Sequence, residues 1–250
     1  MKNIAVLPIR SNSKRLKRKN FQSIAGIPLF SITVAHLINS GIFDKIIIAT
    51  DEPNRVKMYI KEDNNIHIYL RKPENSQDYS TSEEIMKEVI MNFNINDKSW
   101  ITLLQATNPF HKKEYFNQLN SLIDADKHDS IFTTSDSLRF PLSEVTKPSF
   151  TRERTQDREP VVFETGLFWS IKTSVFKATK KRIGLKYTSI ALDRYDDFDI
   201  DDLKDWIFIK PILAREIFSN HNLIKVLYKF MPLKVIYGRI LYFFQKKFHA

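Results

Sequence analysis

The 250-residue chain contains no cysteine. This excludes disulfide bonds, thiolate metal sites and a cysteine nucleophile, and it restricts any bound metal to oxygen or imidazole ligands. No pair of histidines has metal-ligand spacing, and no Ser-His-Asp arrangement is visible among the six scattered histidines. The absence of cysteine suits the reducing cytoplasm, where we expect the protein.

Long hydrophobic runs are also missing. No stretch approaches the roughly 18 uncharged apolar residues of a membrane-spanning helix. The apolar run near the N-terminus is too short for the core of a signal peptide and is more typical of a buried first strand. Apolar residues still make up 42% of the chain, which is enough for a hydrophobic core, so we expect a folded, soluble protein.

Acidic residues are absent from residues 221–250, which contain six basic ones. This segment therefore carries +6 of the formal net charge of +10, and the rest of the chain carries only +4. Because the body is close to neutral, we do not expect a general nucleic-acid surface. The basic, aromatic-rich extension has three open fates, which are packing on the body, pairing with another subunit and peripheral contact with an anionic membrane. Its basic residues are Lys225, Lys229, Lys234, Arg239, Lys246 and Lys247.

Short apolar runs alternate with segments of helical period, a pattern typical of an α/β doubly wound fold with a mostly parallel sheet. Ligands bind such sheets beyond the carboxyl ends of the strands, so the loops there are the candidate site. The predicted strands are Ile4–Ile9, Lys45–Ala49, Ile66–Leu70, Trp100–Leu104 and Ser130–Thr134. The predicted helices are Leu29–Ile38, Ser82–Phe93 and Lys113–Ile123.

The rhythm of strands and helices is lost between residues 135 and 160, a stretch with three prolines and mixed charges. Its apolar side chains need a surface to cover them, which favours a small inserted lobe over a disordered linker. A partner subunit would provide that surface. We therefore predict a main domain over residues 1–220, with a dimerisation lobe at about 135–165, and the extension over 221–250.

The loop after the first strand combines small polar residues with five basic ones, Lys14, Arg15, Lys17, Arg18 and Lys19. Converging backbone amides and mobile cations are what a polyphosphate requires. The loop lacks the Gly-Lys-Ser/Thr ending of a Walker loop. From the residues alone, a solvated basic loop explains the pattern as well as a phosphate site does.

Several short motifs occur in a defined order over residues 3–206. The first are Arg10, Ser13-Lys14-Arg15, Lys19-Asn20 and Ala25-Gly26-Ile27-Pro28-Leu29. The later ones are Thr50-Asp51, Leu70-Arg71-Lys72-Pro73, Leu103-Leu104-Gln105-Ala106-Thr107-Asn108-Pro109, Arg154-Thr155-Gln156-Asp157, Glu164-Thr165-Gly166-Leu167-Phe168-Trp169 and Asp199-Ile200-Asp201. Taken together, this ordered set resembles the acylneuraminate cytidylyltransferase family, the CMP-sialic acid synthetases.

The resemblance implies a Rossmann-like nucleotidyltransferase domain and a homodimer with an exchanged lobe. It also implies a Mg²⁺-dependent transfer of CMP from CTP to the anomeric hydroxyl of a nine-carbon acidic sugar, with release of pyrophosphate. By the family's motifs, Arg10 and Lys19 hold the triphosphate and act in catalysis. The other nucleotide-binding residues that it implies are Ser13, Asn20, Arg71 and Ser82, and the implied sugar-binding residues are Gln105, Arg154, Gln156 and Glu164.

Asp199 and Asp201 are separated by one residue, so in an extended segment both carboxylates lie on the same side and can share a cation. Helix capping and a solvated acidic segment explain the same aspartates from the residues alone. The family motif favours these two as magnesium ligands and as catalytic residues. The proton acceptor is not identified.

Departures from the family pattern concern mainly the sugar. Ser11-Asn12 stands where many relatives have two glycines, and we expect the turn to survive because Asn tolerates positive φ and Ser hydrogen-bonds locally. Changes near Gln105 and Thr165 leave legionaminate or pseudaminate open as the substrate in place of N-acylneuraminate. A nucleotide-binding or membrane-surface protein without catalysis is the alternative from another class.

Overall fold

The structure of the protein is a computed structural model that describes residues 2–24, 26–76 and 80–230. Within these residues, seven strands form one sheet in the order β5-β4-β1-β6-β8-β7-β9, and β2 pairs with β3 in a separate hairpin. The strands are β1 (Asn3–Ile9), β2 (Ser23–Ile24), β3 (Ile27–Pro28), β4 (Lys45–Thr50), β5 (Ile66–Leu70), β6 (Trp100–Leu104), β7 (Ser130–Ser137), β8 (Val161–Lys172) and β9 (Tyr187–Ala191).

Helices connect and cover these strands. They are α1 (Leu29–Ser40), α2 (Pro53–Lys57), α3 (Ser82–Asn92), α4 (Lys113–Ala125), α5 (Leu142–Val145), α6 (Thr173–Thr179), α7 (Leu203–Ser219) and α8 (His221–Phe230). Short 3₁₀ turns occur at Lys19–Phe21, Pro73–Ser76 and Thr155–Asp157.

The sheet is mostly parallel. Strand β1 pairs in parallel with β4 on one side and β6 on the other, while β8 runs antiparallel to both of its neighbours. From β1 the chain continues to β4 and β5 on one side, and it then crosses back over β1 to form β6 on the other side. The carboxyl ends of β1 and β6 thus flank a reversal of strand order, where ligands bind in sheets of this kind.

Strand β1 is buried on both faces because successive side chains point to opposite sides of a strand. Ala5 and Leu7 pack in a cluster with Phe30 of α1 and Phe116 of α4. Their neighbour Val6 packs in a second cluster with residues of α3 and α6. Helices therefore cover both faces of the sheet, which explains the continuous apolar run of β1.

Helices α7 and α8 form an additional layer that packs against α1. Trp206 and Leu213 of α7 and Leu223 and Leu227 of α8 share one buried cluster with Leu29 of α1. The first ten residues of the predicted extension thus pack on the body. Residues 231–250 lie outside the described residues.

Every strand and helix predicted from the sequence is present, and the α/β fold is confirmed. The predicted lobe lies on a continuation of the main sheet, because β7 runs to Ser137 and pairs with β8 up to Val161. Residues 138–160, together with the outer ends of these two strands, are called the arm below. Over the part of the chain that the structure describes, no helix has both the length and the apolar character to cross a bilayer.

Candidate active site

A pocket of about 590 Å³ lies at the carboxyl edge of the sheet, within the size range of small-molecule sites. The loops that follow β1, β5 and β6 contribute to it, as do the start of α3 and the segment before α7. Its lining residues include Arg10, Ser13, Arg15, Lys19, Asn20, Arg71, Ser80, Ser82, Gln105, Thr107, Asp199 and Asp201. All six predicted nucleotide-binding residues, both predicted metal ligands and Gln105 therefore meet in one pocket.

The loop after β1 is held by a carboxylate of the neighbouring strand end. Asp51 accepts two hydrogen bonds from Ser11, from the backbone N–H at 2.8 Å and from the hydroxyl at 2.7 Å. Neither Ser11 nor Asn12 adopts a positive φ. The expected local role of serine is thus replaced by a long-range contact, and the tolerance of asparagine for positive φ is not needed here.

Asn20 closes the other end of this loop. Its amide donates to the Arg10 carbonyl at 3.2 Å, and its side chain is buried beneath the loop. Arg18 takes the left-handed conformation, with φ of 53°, immediately before the 3₁₀ turn that carries Lys19. The turn places the Lys19 ammonium in the pocket, so the two predicted triphosphate ligands, Arg10 and Lys19, reach the same space.

The two predicted metal ligands flank a buried residue. Ile200 is fully buried and donates its backbone N–H to the Thr107 carbonyl at 2.9 Å, which fixes Asp199 and Asp201 beside the loop after β6. The Asp201 carboxylate accepts from Arg15 at 2.7 Å and from Lys19 at 3.2 Å. This acidic group is therefore in direct contact with the basic loop after β1.

Desolvation by the surrounding protein raises the pKa of Asp199 above its ordinary value, and repulsion from Asp201 adds to the rise. A hydrogen bond from Thr107 and the positive charge of Lys19 oppose it. A carboxylate that is costly to ionise in isolation is one that a divalent cation would stabilise.

The neighbouring aspartates have structural roles. Asp202 and Asp205 form a capping box at the start of α7, in which Asp202 accepts from the backbone N–H groups of Lys204 and Asp205. Asp196 accepts a hydrogen bond from Tyr115 and an ion pair from Lys112 at 2.6 Å. Helix capping thus explains Asp202 and Asp205, and contacts with α4 and the residue before it explain Asp196, while Asp199 and Asp201 line the pocket.

The residues present fit a magnesium ion held jointly with a nucleotide. Within residues 2–24, 26–76 and 80–230, no group of three or more acidic or histidine side chains is arranged to hold a metal ion. Mg²⁺ commonly takes one or two protein carboxylates and fills its remaining positions with phosphate oxygens and water. Two aspartates beside the basic side chains of the loop after β1 match that requirement.

Arg71 and the start of α3 form the opposite wall. The Arg71 side chain is only 4% exposed, and burial lowers its pKa while Asp51 and Glu88 oppose the shift. Thr81 caps α3 in a reciprocal box with Glu84, so that Ser82 begins the helix. The positive end of the α3 dipole therefore faces the pocket at Ser80 and Ser82.

Gln105 depends on a glycine that is distant in sequence. A Cβ atom added to Gly166 would lie 2.9 Å from the Gln105 side-chain oxygen, so any larger residue there would make that amide shift from its present position. Gly166 was identified only as part of a family motif, and nothing in the local sequence indicates this contact.

The other three predicted sugar-binding residues do not line the pocket of their own chain. Arg154 and Gln156 are exposed in the arm, where Arg154 forms an ion pair with Asp157 at 2.6 Å. Glu164 lies on the outer half of β8 and accepts a hydrogen bond from the Trp169 indole. Their sugar-binding role stays a prediction, with a place in the subunit interface as its alternative.

Solved structures of cytidylyl-transferring enzymes share this fold. The structure titled as a CMP:2-keto-3-deoxy-manno-octonic acid synthetase complexed with CTP has a TM-score of 0.63 and 15% identity, covering 86% of this chain and 100% of that one. The 4-diphosphocytidyl-2C-methyl-D-erythritol synthase of Anaerococcus prevotii has a TM-score of 0.60 and 16% identity, covering 86% and 99%. At these identities the similarity defines the fold class, that of a Rossmann-like nucleotidyltransferase.

The sequence model of the family described as Cytidylyltransferase matches residues 4–175. The chain therefore belongs to the cytidylyltransferase family. It is 27% identical over 241 residues to the N-acylneuraminate cytidylyltransferase of Streptococcus agalactiae, covering 92% of this chain and 57% of the relative. It is 25% identical over 223 residues to the pseudaminic acid cytidylyltransferase of Campylobacter jejuni, covering 84% and 95%. The chain thus spans little more than half the length of the streptococcal relative.

Proposed function

We propose that the protein transfers CMP from CTP to the anomeric hydroxyl of a nine-carbon acidic sugar of the N-acylneuraminate kind and releases pyrophosphate. The observation that carries this proposal is the meeting of Arg10, Lys19, Asp199 and Asp201 in the pocket that also holds Gln105. Membership of the cytidylyltransferase family supports the reaction class, and the streptococcal relative supports the sugar class.

In this proposal the anomeric hydroxyl gives up its proton to one of the two aspartates or to solvent, and its oxygen forms a bond to the α-phosphorus. The bond from that phosphorus to the bridging oxygen breaks, and pyrophosphate leaves. Arg10 and Lys19 balance the negative charge that gathers on the departing pyrophosphate. Asn20, Arg71, Ser82 and Ser13 hold the rest of the nucleotide, and Gln105 binds the sugar. Asp199 and Asp201 would hold Mg²⁺, which supplies charge neutralisation and alignment of the phosphates.

The related sugars pseudaminate and legionaminate are the alternative substrates. The Campylobacter relative, a pseudaminic acid cytidylyltransferase, is matched over 95% of its length at nearly the same identity as the streptococcal enzyme. The two identities do not separate these substrates, so a panel of sugars is required.

Pyrophosphate release from CTP, Mg²⁺ and each nine-carbon acid tests the reaction. We expect release that requires one of the sugars and that falls by at least about 100-fold in Lys19→Ala and in Asp201→Asn, the scale typical of lost transition-state charge stabilisation. Lys17→Ala and Asp197→Asn are matched controls, because neither residue lines the pocket. Folded protein that binds CTP but releases no pyrophosphate with any sugar would favour the non-catalytic alternative.

We further propose that the arm forms a homodimer interface. Three large apolar side chains, Leu142, Val162 and Phe163, are exposed on it, and exposed apolar surface is a feature of interaction sites. A dimer built through the arm would offer Arg154 and Gln156 to the pocket of the partner subunit. Sedimentation of the wild type and of Phe163→Glu tests this, and a monomeric wild type would contradict it.

Peripheral contact with an anionic membrane is a separate proposal for the C-terminal region in a cytoplasmic protein. Helix α7 exposes a stripe of apolar side chains, Leu203, Ile207, Phe208 and Ile212, in the layer that leads into the acid-free extension. Apolar and basic surface together favour anionic lipid. We expect co-sedimentation with anionic but not neutral vesicles, and a failure to co-sediment at moderate salt would refute it.

A further inference from the structure

Glu88 is a buried carboxylate that does not line the pocket. It lies on α3 among Ile85, Met86 and Val89, and only 4% of the residue is exposed. A charged group in such a position must be satisfied by hydrogen-bond donors, because burial without them is costly. The identity of its donors therefore indicates what the carboxylate organises.

Among the residues that the structure describes, three groups donate to Glu88, and they come from one short segment, residues 69–75. The Tyr69 hydroxyl and the Lys72 backbone N–H each donate to one carboxylate oxygen at 2.8 Å. The Asn75 side-chain amide donates to the other oxygen. The three donors lie on both sides of Arg71 in sequence, so Glu88 fixes the loop that carries this arginine.

Asn75 links Glu88 directly to Arg71. The Arg71 guanidinium donates to the Asn75 carbonyl, and the Arg71 backbone N–H donates to the Thr50 carbonyl at 2.9 Å. Both the backbone and the side chain of Arg71 are therefore restrained, and the guanidinium is held at the pocket wall. Restraint of this kind lowers the entropy that ligand binding must remove.

We propose that Glu88 is a positioning residue that orients Arg71 through Asn75 and thereby sets the affinity of the pocket for the nucleotide. This inference rests on the proposed function, since Arg71 acts there on CTP. It predicts that loss of the Glu88 charge weakens nucleotide binding selectively, whereas a purely structural role would lower stability without distinguishing between the two substrates.

Glu88→Gln tests the link with little change of shape. A glutamine has a single acceptor oxygen, so its amide group must face either the Asn75 amide or the Lys72 N–H, donor against donor. We expect the dissociation constant and the KM for CTP to rise on the order of tenfold, which corresponds to about 1.4 kcal/mol. The KM for the sugar should change by less than about threefold, since its ligands lie on other loops.

The double variant Glu88→Gln/Asn75→Asp restores a donor–acceptor pair at the same place. We expect it to recover CTP affinity to within about threefold of the wild type, by the hydrogen-bond complementarity described above. Asn75→Ala leaves the Glu88 charge and its other two donors in place, so it tests the link should Glu88→Gln fold poorly. Glu114→Gln, an exposed change of the same type on α4, is the matched control.

Calorimetric titration with CTP, thermal melting and the two KM values are measured on each variant of the full chain. Equal weakening of CTP and sugar, a lowered melting temperature with unchanged CTP affinity, or no recovery in the double variant would overturn the inference. A wild type that does not bind CTP would instead refute the proposed function, and the inference would fall with it. If the wild type binds CTP and Glu88→Gln binds it equally well, the inference is refuted while the proposed function stands.

Discussion

Acidification should destabilise the protein through two buried histidines, His36 on α1 and His111 in the loop after β6. Their ring centroids are 6.3 Å apart, and His111 stacks on Phe116. Burial lowers the pKa of His36 from 6.5 to about 4, and burial with the nearby His36 lowers the pKa of His111 to about 3. Both are therefore neutral in the native state at physiological pH.

The direction of this pH effect on stability follows from proton linkage. Because the folded pKa values lie below the unfolded value of 6.5, the unfolded chain binds more protons as the pH falls. The stability that these residues support is complete above pH 6.5 and is lost between pH 6.5 and the folded values. Between pH 8 and pH 5, the cost to the free energy of unfolding is about 2 kcal/mol for each histidine.

Urea unfolding followed by tryptophan fluorescence at pH 8 and pH 5 measures this difference. We expect the loss of unfolding free energy on acidification to shrink by about 2 kcal/mol in His36→Gln and by a similar amount in His111→Gln. The constant effect of each substitution cancels when the two pH values are compared. The same substitution at exposed His221 is the control. The reasoning would be refuted if, in both variants, the loss of unfolding free energy between pH 8 and pH 5 stays within about 0.5 kcal/mol of the wild-type loss.

Two further predictions concern Glu216 and Gly166. Burial and the nearby Asp196 raise the pKa of Glu216 from 4.5 to about 7, so above pH 7 the folded protein carries an ionised Glu216 at a cost to its stability. Glu216→Gln should therefore raise the free energy of unfolding by about 1–3 kcal/mol at pH 8 and by less than about 1 kcal/mol at pH 5. An equal effect at both pH values in urea unfolding would contradict this. Gly166→Ala should displace Gln105, because the added methyl group would lie 2.9 Å from the Gln105 oxygen. We expect the KM for the sugar to rise on the order of tenfold and the KM for CTP to stay within about threefold. Initial rates with each substrate varied in turn measure this, and a rise confined to the KM for CTP would contradict it.

Strands β1, β4 and β6 were predictable because they are buried on both faces. Strands such as β1 and β6 are continuous apolar runs, and their limits in the structure agree with the sequence pattern to within a residue or so. Strand β8 was not predicted, because its outer half is exposed and carries Glu164 among apolar residues. Its formation depends on pairing with β7, which the local sequence does not indicate.

The candidate site was predictable where a motif lies on one loop and was not where contacts join distant residues. Arg10 and Lys19 belong to a single basic loop that is visible in the sequence. The Asp51 contact with Ser11 spans 40 residues, and the Glu88 network joins a helix to the preceding loop. Carboxylates that support a site without facing it resemble ordinary helix or strand-end residues until the fold brings them together.

The position of the arm follows from the single antiparallel strand. Leu104, the last residue of β6, pairs with Phe168, so the part of β8 before Phe168 extends beyond the carboxyl end of β6 and pairs only with β7. The arm therefore leaves the sheet at the same edge as the pocket. Arg154 and Gln156 belong to the arm but do not line the pocket of their own chain. In the proposed dimer, these two residues would be available to the pocket of the partner subunit.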